Sequence, residues 1–156
     1  FIILAMYLQP VPWYHPQYLI PLLGMLLGNT MTGIAVAMNT LGREAWDKRG
    51  QIEARLMLGD TAAEAIAEIR RNALRNGLIP IINSMATAGV VSLPGMMTGQ
   101  ILAGGDPMEA AKYQLMIMFL IAAGTTLGAT SAVIIMARRL FDQRERLRLD
   151  RLRSPT

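Results

Sequence analysis

Long uncharged segments alternate with polar ones along this chain. Three stretches, roughly 18–41, 78–103 and 113–137, contain no Asp, Glu, Lys, Arg or His. A helix needs about 20 consecutive apolar residues to cross a bilayer, and backbone groups in lipid must be hydrogen-bonded within their own segment. The pattern therefore predicts an all-α protein, with a polytopic transmembrane helical bundle over residues 1–137.

Positive charge is concentrated in two polar segments. Residues 42–77 hold seven of the fifteen Lys and Arg residues, and the tail 138–156 holds seven more. Because Lys and Arg favour the cytoplasmic side of a membrane, both segments are predicted to be cytoplasmic. The tail is expected to be a basic helix that contacts anionic lipid headgroups. The net charge of +4 fits lipid better than nucleic acid in such a protein. The absence of cysteine excludes disulfides and thiolate metal sites.

The segment 43–76 is too long for a simple connection and has the pattern of two helices joined by a turn. The first helix is predicted over about 43–58. The second is predicted over about 62–76, with Gly77 as the residue that ends it. We expect the pair to form an elbow with one apolar face.

The turn of this elbow is predicted at Gly59 and Asp60. Glycine adopts backbone conformations that other residues avoid, which permits a sharp turn. Thr61 and Glu64 follow with the T-x-x-E spacing of a capping box.

The sequence around this turn resembles the EAA loop of ABC-transporter permeases, with Glu53-Ala54-Arg55 followed by Gly59. That resemblance implies that Glu53, Ala54, Gly59 and Asp60 contact a separate ATP-binding subunit. An amphipathic helix at the membrane surface is the alternative interpretation of the same residues.

A longer motif strengthens the resemblance. Residues 91–107 read VSLPGMMTGQILAGGDP, and from about residue 17 to 141 the chain closely resembles the FetB-type iron-export ABC permeases. The resemblance implies a permease subunit that exports metal, with iron as the expected cargo. Family members carry further membrane helices before this point. We therefore expect the chain to be the C-terminal part of such a protein, with residues 1–8 as the end of a preceding helix.

Nucleotide chemistry is expected on another chain. The phosphate-binding pattern G-x-x-x-x-G-K-[ST] does not occur in the sequence, so we predict a transport subunit rather than an enzyme, with ATP on the partner. An ATPase-independent secondary transporter or channel is one alternative, although the spans hold no charge to couple ions. A structural membrane-assembly protein is another.

Polar and helix-breaking residues within the spans are candidates for the transport pathway. Asn29, Asn83 and Gln100 carry amides, which are costly in lipid unless hydrogen-bonded. They are predicted either to line a pathway or to join helices. Pro94 and Gly95 interrupt the third predicted span, as in the discontinuous helices of transporters. A packing kink is the alternative.

A cation site is a further hypothesis for the outer side. His15, Asp106 and Glu109 are candidate exit-site ligands for Fe²⁺. Their structural alternatives are an interfacial histidine and a helix start, with Asp106 as N-cap, Pro107 at the first position and Glu109 at the third.

Pairs of glycines four residues apart favour close helix packing. Because a chain of this size cannot enclose a pathway alone, we expect a homodimer, and these pairs are candidates for its seam or for packing within the chain. They are Gly24 with Gly28, Gly95 with Gly99, and Gly124 with Gly128.

Overall fold

A computed structural model describes residues 16–88, 95–142 and 145–148, with side chains described from residue 20 onward. Within those ranges the protein is helical, as the sequence predicted. The helices are α1 (Pro16–Asp47), α2 (Arg49–Met57), α3 (Ala62–Ala65), α4 (Ala67–Thr87), α5 (Gly95–Leu102) and α6 (Pro107–Arg139).

Three long helices, α1, α4 and α6, form the body of the protein. Their directions follow from two clusters of apolar side chains. Leu41, Ala73 and Val133 share the first cluster, whereas Ile81 and Ile117 belong to the second, together with earlier residues of α1. Thus α1 and α6 run from the second cluster to the first, and α4 runs in the opposite direction.

The two clusters mark two ends of the bundle. We call the first the basic end, because it holds α2, α3 and the C-terminal ends of α1 and α6, where most Lys and Arg residues lie. The other, which we call the opposite end, holds α5 and the N-terminal ends of α1 and α6. The bundle thus places the described parts of the two basic segments at one end.

Two of the three predicted spans are confirmed as long apolar helices. The helical stretches Ile20–Asp47 and Pro107–Arg139 are both long and apolar enough to cross a membrane. The third predicted span, 78–103, was expected to be interrupted at Pro94 and Gly95; in the structure α4 already ends at Thr87, and α5 begins at Gly95. The reason is that α4 starts eleven residues before that prediction, so its roughly 31 Å length reaches the opposite end by Thr87.

The helix limits predicted for the elbow also differ from the structure. Instead of a helix over 43–58, α1 continues to Asp47 and α2 follows after Lys48, because Leu41 and Ala45 near the end of α1 are fully buried. The helix predicted over 62–76 is divided at Ile66 into α3 and α4.

Gly77 lies inside α4 rather than at its end. A Cβ atom at Gly77 would lie 2.7 Å from the Cβ of Ala37 and 2.8 Å from the carbonyl oxygen of Gly33. A Cβ at Gly33 would in turn lie 2.5 Å from Cγ2 of Thr125. These distances are shorter than side-chain contacts allow, so α1, α4 and α6 approach one another here only because two side chains are missing. We call Gly33, Gly77 and Thr125 the crossing.

The basic tail does not continue α6 as a helix. The helix ends at Arg139, and Phe141 and Leu147 then form an isolated antiparallel bridge. The amide of Asp142 donates to the carbonyl oxygen of Arg146 at 3.0 Å. The helix expected for the tail is therefore not formed at these residues. We call residues 140–142 and 145–148 the C-terminal hairpin.

Candidate functional site

The helices of the basic end are held by buried apolar side chains. Ile52 of α2 and Ile66 at the α3–α4 junction are each 1% exposed, and both belong to the cluster that includes Leu140. A fully buried isoleucine contributes about 1.5–3 kcal/mol by leaving water. The turn between α2 and α3 is thus fixed on both sides by packing.

The turn itself has the local structure that the sequence predicts. Gly59 adopts a positive φ of 100°, in the left-handed region that glycine occupies without steric cost. Asp60 then pairs with Arg55, with Nε and Oδ2 3.6 Å apart.

A capping box follows the turn. The amide of Thr61 donates to the carboxylate of Glu64 at 3.0 Å, and the amide of Glu64 donates to the Thr61 hydroxyl oxygen at 3.4 Å. The Thr61 hydroxyl also donates to that carboxylate at 2.7 Å. The hydrogen bonds that the Glu64 carboxylate accepts hold its pKa below the ordinary value. The bond from the Thr61 hydroxyl has the larger effect, and the bond from the Thr61 amide the smaller.

Two large apolar side chains project from this turn. Met57 is 87% exposed and Leu58 is 86% exposed, although they lie in a polar part of the chain. The sequence analysis did not select them. The sequence does contain one indication of this exposed pair, because the two apolar residues stand directly before Gly59, where the helix must end.

Three of the four residues predicted to dock an ATPase lie together. Glu53, Gly59 and Asp60 line an open cavity of about 630 Å³ beside the C-terminal hairpin. Ala54 instead lines a separate cleft of about 420 Å³, where α2 faces Ile69 and other residues of α3 and α4.

A second cavity, of about 610 Å³, lies at the opposite end of the bundle. It brings together three of the predicted pathway and metal residues, Gln100, Asp106 and Glu109, and is also lined by Met25 and Met96. The side-chain oxygen of Gln100 is buried and has no hydrogen-bond partner among the described residues.

The two carboxylates of this cavity are engaged locally. Asp106 caps α6 by accepting from the amide of Met108 at 3.3 Å, with Pro107 at the first helical position, as predicted. Glu109 pairs with Lys112 at 2.8 Å. The parts of the chain that the structure describes contain no group of three or more His, Asp or Glu that could hold a metal.

The other predicted pathway residues that the structure describes, Asn29, Asn83 and Gly95, do not line this cavity. The side-chain amide of Asn29 donates to the carbonyl oxygen of Met25 in its own helix at 2.8 Å, and Asn83 is exposed. Gly95 is the first residue of α5. Pro94 and His15 lie outside the described residues.

The glycine pairs divide into two kinds. Gly124 and Gly128 of α6 pack within the chain, where added Cβ atoms would lie 2.8 Å from Leu26 and from Thr30, respectively. Open space surrounds each glycine of the other two pairs, Gly24 with Gly28 and Gly95 with Gly99.

Comparison with known proteins adds the family. The family described as "Uncharacterised protein family (UPF0014)" matches residues 1–141. The chain belongs to the UPF0014 family. No solved structure matches it.

Relatives of this UPF0014 chain include proteins named for the membrane and for transport. A UPF0014 membrane protein of Synechocystis is 47% identical over 144 residues, which is 92% of this chain and 56% of that protein. The Escherichia coli protein named "Probable iron export permease protein FetB" is 38% identical over 141 residues, covering 90% of this chain and 54% of FetB. The resemblance to FetB-type permeases is thereby confirmed.

A plant relative carries a different name. "Protein ALUMINUM SENSITIVE 3" of Arabidopsis thaliana is 34% identical over 122 residues, covering 78% of this UPF0014 chain and 45% of the plant protein. The chain thus spans about half the length of these curated relatives. With its two apolar helices, it is a membrane protein of a permease-containing family.

Proposed function

We propose that this chain is the membrane-spanning permease part of an ABC transporter that exports iron. ATP binds to a separate subunit, and this chain carries out no hydrolysis. The name and 38% identity of the Escherichia coli FetB protein support permease function and iron as cargo. The observation that carries the ABC assignment is the exposed pair Met57 and Leu58, on a turn anchored by buried side chains.

The exposed pair lies on the turn of residues 57–60, which we call the docking turn, and is suited to binding a partner protein. Apolar surface contributes about 25 cal/mol for each Å² removed from water, so a partner that covers Met57 and Leu58 gains affinity there. Glu53, Gly59 and Asp60 lie around the same turn and would surround that contact. Ala54 faces the cleft between α2 and α4 and would act through packing instead.

The orientation that this function requires agrees with the charge pattern. ATP-binding subunits work in the cytoplasm, and the positive-inside rule assigns the segment 42–77 and the C-terminus to that side. The opposite end, with its cavity beside Gln100, would then face outward. Asp106 and Glu109 would lie near the exit of the cation. The membrane is the plasma membrane, or inner membrane, of a bacterium.

A displacement of the docking turn would be transmitted through the crossing to the cavity beside Gln100 at the opposite end. Because Gly33, Gly77 and Thr125 are in close contact, a shift of α4 must displace α1 and α6. Gly95, which begins α5, would serve with Pro94 as the predicted hinge.

A second copy of the chain would complete the pathway. Gly24 and Gly28 face open space on α1, where a helix of another protomer could approach closely. The homodimer would present two docking turns to a pair of ATP-binding subunits.

The docking turn is tested by substitutions at exposed positions. We expect Leu58→Asp, Gly59→Pro and Glu53→Lys to reduce binding of a purified ABC-type ATP-binding subunit from the same host, with the permease in lipid nanodiscs. Gly59→Pro acts because proline cannot adopt the positive φ. Asp47→Lys is the matched charge control, because Asp47 is exposed but lies outside the cavity lining.

Met108→Asp is the matched control for Leu58→Asp, because Met108 is exposed at the opposite end. The binding loss is expected to be at least about tenfold, or 1.4 kcal/mol, for the turn variants alone. Full binding and ATP-driven transport by the turn variants would refute the docking role.

The cargo is tested by metal accumulation in cells. We expect loss of either subunit to raise cellular iron, with copper measured as a second metal and aluminium as a third because of the plant relative's name. Export that persists without the ATP-binding subunit would favour a secondary transporter or channel. Unchanged levels of all three metals would refute metal export.

A further inference from the structure

We propose that the C-terminal hairpin forms the second wall of the docking groove. The groove fits a partner segment that presents an apolar side chain flanked by Lys or Arg. This inference rests on the proposed function. It adds to the docking site a part of the chain that is far from the docking turn in sequence. It also assigns the tail a contact with protein, where the sequence suggested lipid headgroups.

The hairpin is attached to the core of the basic end. Leu140 is 3% exposed and belongs to the same buried cluster as Ile52 and Ile66. Phe141 and Leu147 pack against that cluster. The amide of Arg148 donates to the carbonyl oxygen of Leu140 at 2.8 Å, which closes the hairpin. The hairpin is thus held against α2 and the α3–α4 junction.

Glu145 joins the tip of the hairpin to the docking turn. Its carboxylate accepts a hydrogen bond from the amide of Ala62 at 3.3 Å, across 83 positions of sequence. Ala62 is the first residue of α3, directly after the capping residue Thr61. Among the described residues, Glu145 is also the one non-glycine residue with a positive φ, 55°. A residue held in that region is disfavoured by itself, so the surrounding contacts must maintain it.

The groove between the turn and the hairpin is lined by apolar and acidic side chains. Of its lining residues, the apolar ones are Leu56, Met57 and Leu147, the carboxylates are Glu53, Asp60 and Glu145, and the single basic one is Arg146. Asp60 is paired with Arg55 and Glu145 with the Ala62 amide. Glu53 makes no hydrogen bond or ion pair among the described residues, so its carboxylate remains available for a cation.

Within the groove, three carboxylates face one arginine, although the chain as a whole has a net charge of +4. Anionic lipid headgroups would be repelled by the carboxylate of Glu53, which has no partner among the described residues, rather than attracted to the groove. A cationic protein segment has the complementary charge. The exposed side chains of Met57 and Leu58 beside the groove add the apolar area that stable docking needs.

The test uses the full chain in lipid nanodiscs and a purified ATP-binding subunit from the same host. Glu145→Gly removes the carboxylate and tolerates the positive φ, and Leu147→Ala thins the groove wall. We expect each to weaken binding by at least about fivefold and to speed amide exchange at residues 61–65. We also expect the affinity of the parent chain to fall as salt rises, because exposed charges are screened over about 10 Å at 0.1 M.

Arg71→Ala serves as the control for changing a charge at the same end, because Arg71 is exposed on α4 and does not line the groove. It should bind like the parent chain. Leu58→Asp separates the two proposals. If it abolishes binding while Glu145→Gly and Leu147→Ala bind normally, the hairpin inference is wrong and the docking turn stands. If Leu58→Asp also binds normally, both are wrong. Faster exchange with unchanged affinity would likewise overturn the inference, since the hairpin would then be only structural.

Discussion

The two ends of the bundle share α1, α4 and α6, but their described residues are packed very differently. At the basic end, twelve buried residues form one cluster drawn from α1, α2, α3, α4, α6 and the residue that follows α6. At the opposite end, the corresponding cluster has three buried residues, Ile81, Ile117 and Ile121. That end also contains a cavity in which the Gln100 side-chain oxygen has no hydrogen-bond partner within the described chain. Among the described residues, the basic end is therefore the more densely packed of the two.

Polar contacts reinforce the difference. Lys48 lies 3.6 Å from Glu44 of α1 and 3.7 Å from Glu68 of α4, and Asn72 donates to Glu44 at 3.3 Å. Exposed pairs of this kind contribute little individually. Together they keep α1 and α4 in register beside the docking turn. The crossing then connects this dense end with the looser one.

The largest expected effect comes from filling the crossing. Gly77→Val would place a Cβ 2.7 Å from Ala37 and 2.8 Å from the Gly33 carbonyl oxygen, so α1 and α4 must separate. Overpacking of this kind costs about 1–3 kcal/mol or more. We expect a clear fall in the thermal unfolding temperature of the detergent-solubilised protein, with loss of transport.

Gly28→Val is the matched control, because Gly28 is also a helical glycine but faces open space. It should leave the unfolding temperature of the monomer nearly unchanged while weakening association between protomers, measured by cross-linking in membranes. Equal unfolding temperatures for Gly77→Val and the parent protein would show that the crossing is looser than the structure indicates. The two ends would then not be joined there.

A substitution in the cavity of the opposite end is expected to change stability less than Gly77→Val does, and not to lower it. Gln100→Leu removes a buried acceptor that has no partner among the described residues, so we expect stability to be unchanged or to rise by about 1 kcal/mol. Transport should nevertheless fall, because the cavity loses its amide. The measurements are chemical unfolding and metal efflux from the same preparation.

Gln114→Leu provides the control for that result. The side-chain oxygen of Gln114 is also buried without a partner in the described chain, but Gln114 does not line the cavity. It should reproduce the change in stability without the loss of transport. Equal transport by both variants would contradict a pathway role for Gln100.

Several local features of the two ends could be predicted from the sequence. The capping box at Thr61 and Glu64, the turn at Gly59, and the start of α6 at Asp106 and Pro107 all depend on residues at most a few positions apart. Such interactions are determined by short-range geometry, so spacing alone indicates them.

Features that depend on distant partners could not be predicted in the same way. Gly77 was interpreted as a helix end because its role depends on Gly33 and Ala37, some forty positions away. The end of α4 at Thr87, before the interruption predicted at Pro94 and Gly95, has no indication in the sequence, because hydropathy does not show where an earlier helix has already reached the end of the bundle. The contact between Glu145 and Ala62 has no local indication in the sequence.

The smallest expected effect concerns the capping box of the docking turn. Thr61→Val removes the hydroxyl that bonds Glu64, and loss of an N-cap typically costs about 1 kcal/mol. We expect faster amide exchange confined to residues 61–65, whereas Thr61→Ser, which keeps the hydroxyl, should exchange like the parent chain.

Acid should loosen the same box in the parent chain. The pKa of Glu64 is lowered in the folded protein, so its contribution is fully present above the ordinary glutamate value of about 4.3. That contribution is lost as the pH falls through the lowered value. Amide exchange at residues 61–65, corrected for its intrinsic pH dependence, should therefore accelerate on acidification in the parent and much less in Glu64→Gln. An equal pH response in both proteins would mean that another group holds the turn, and the dense packing of the basic end would then owe little to its cap.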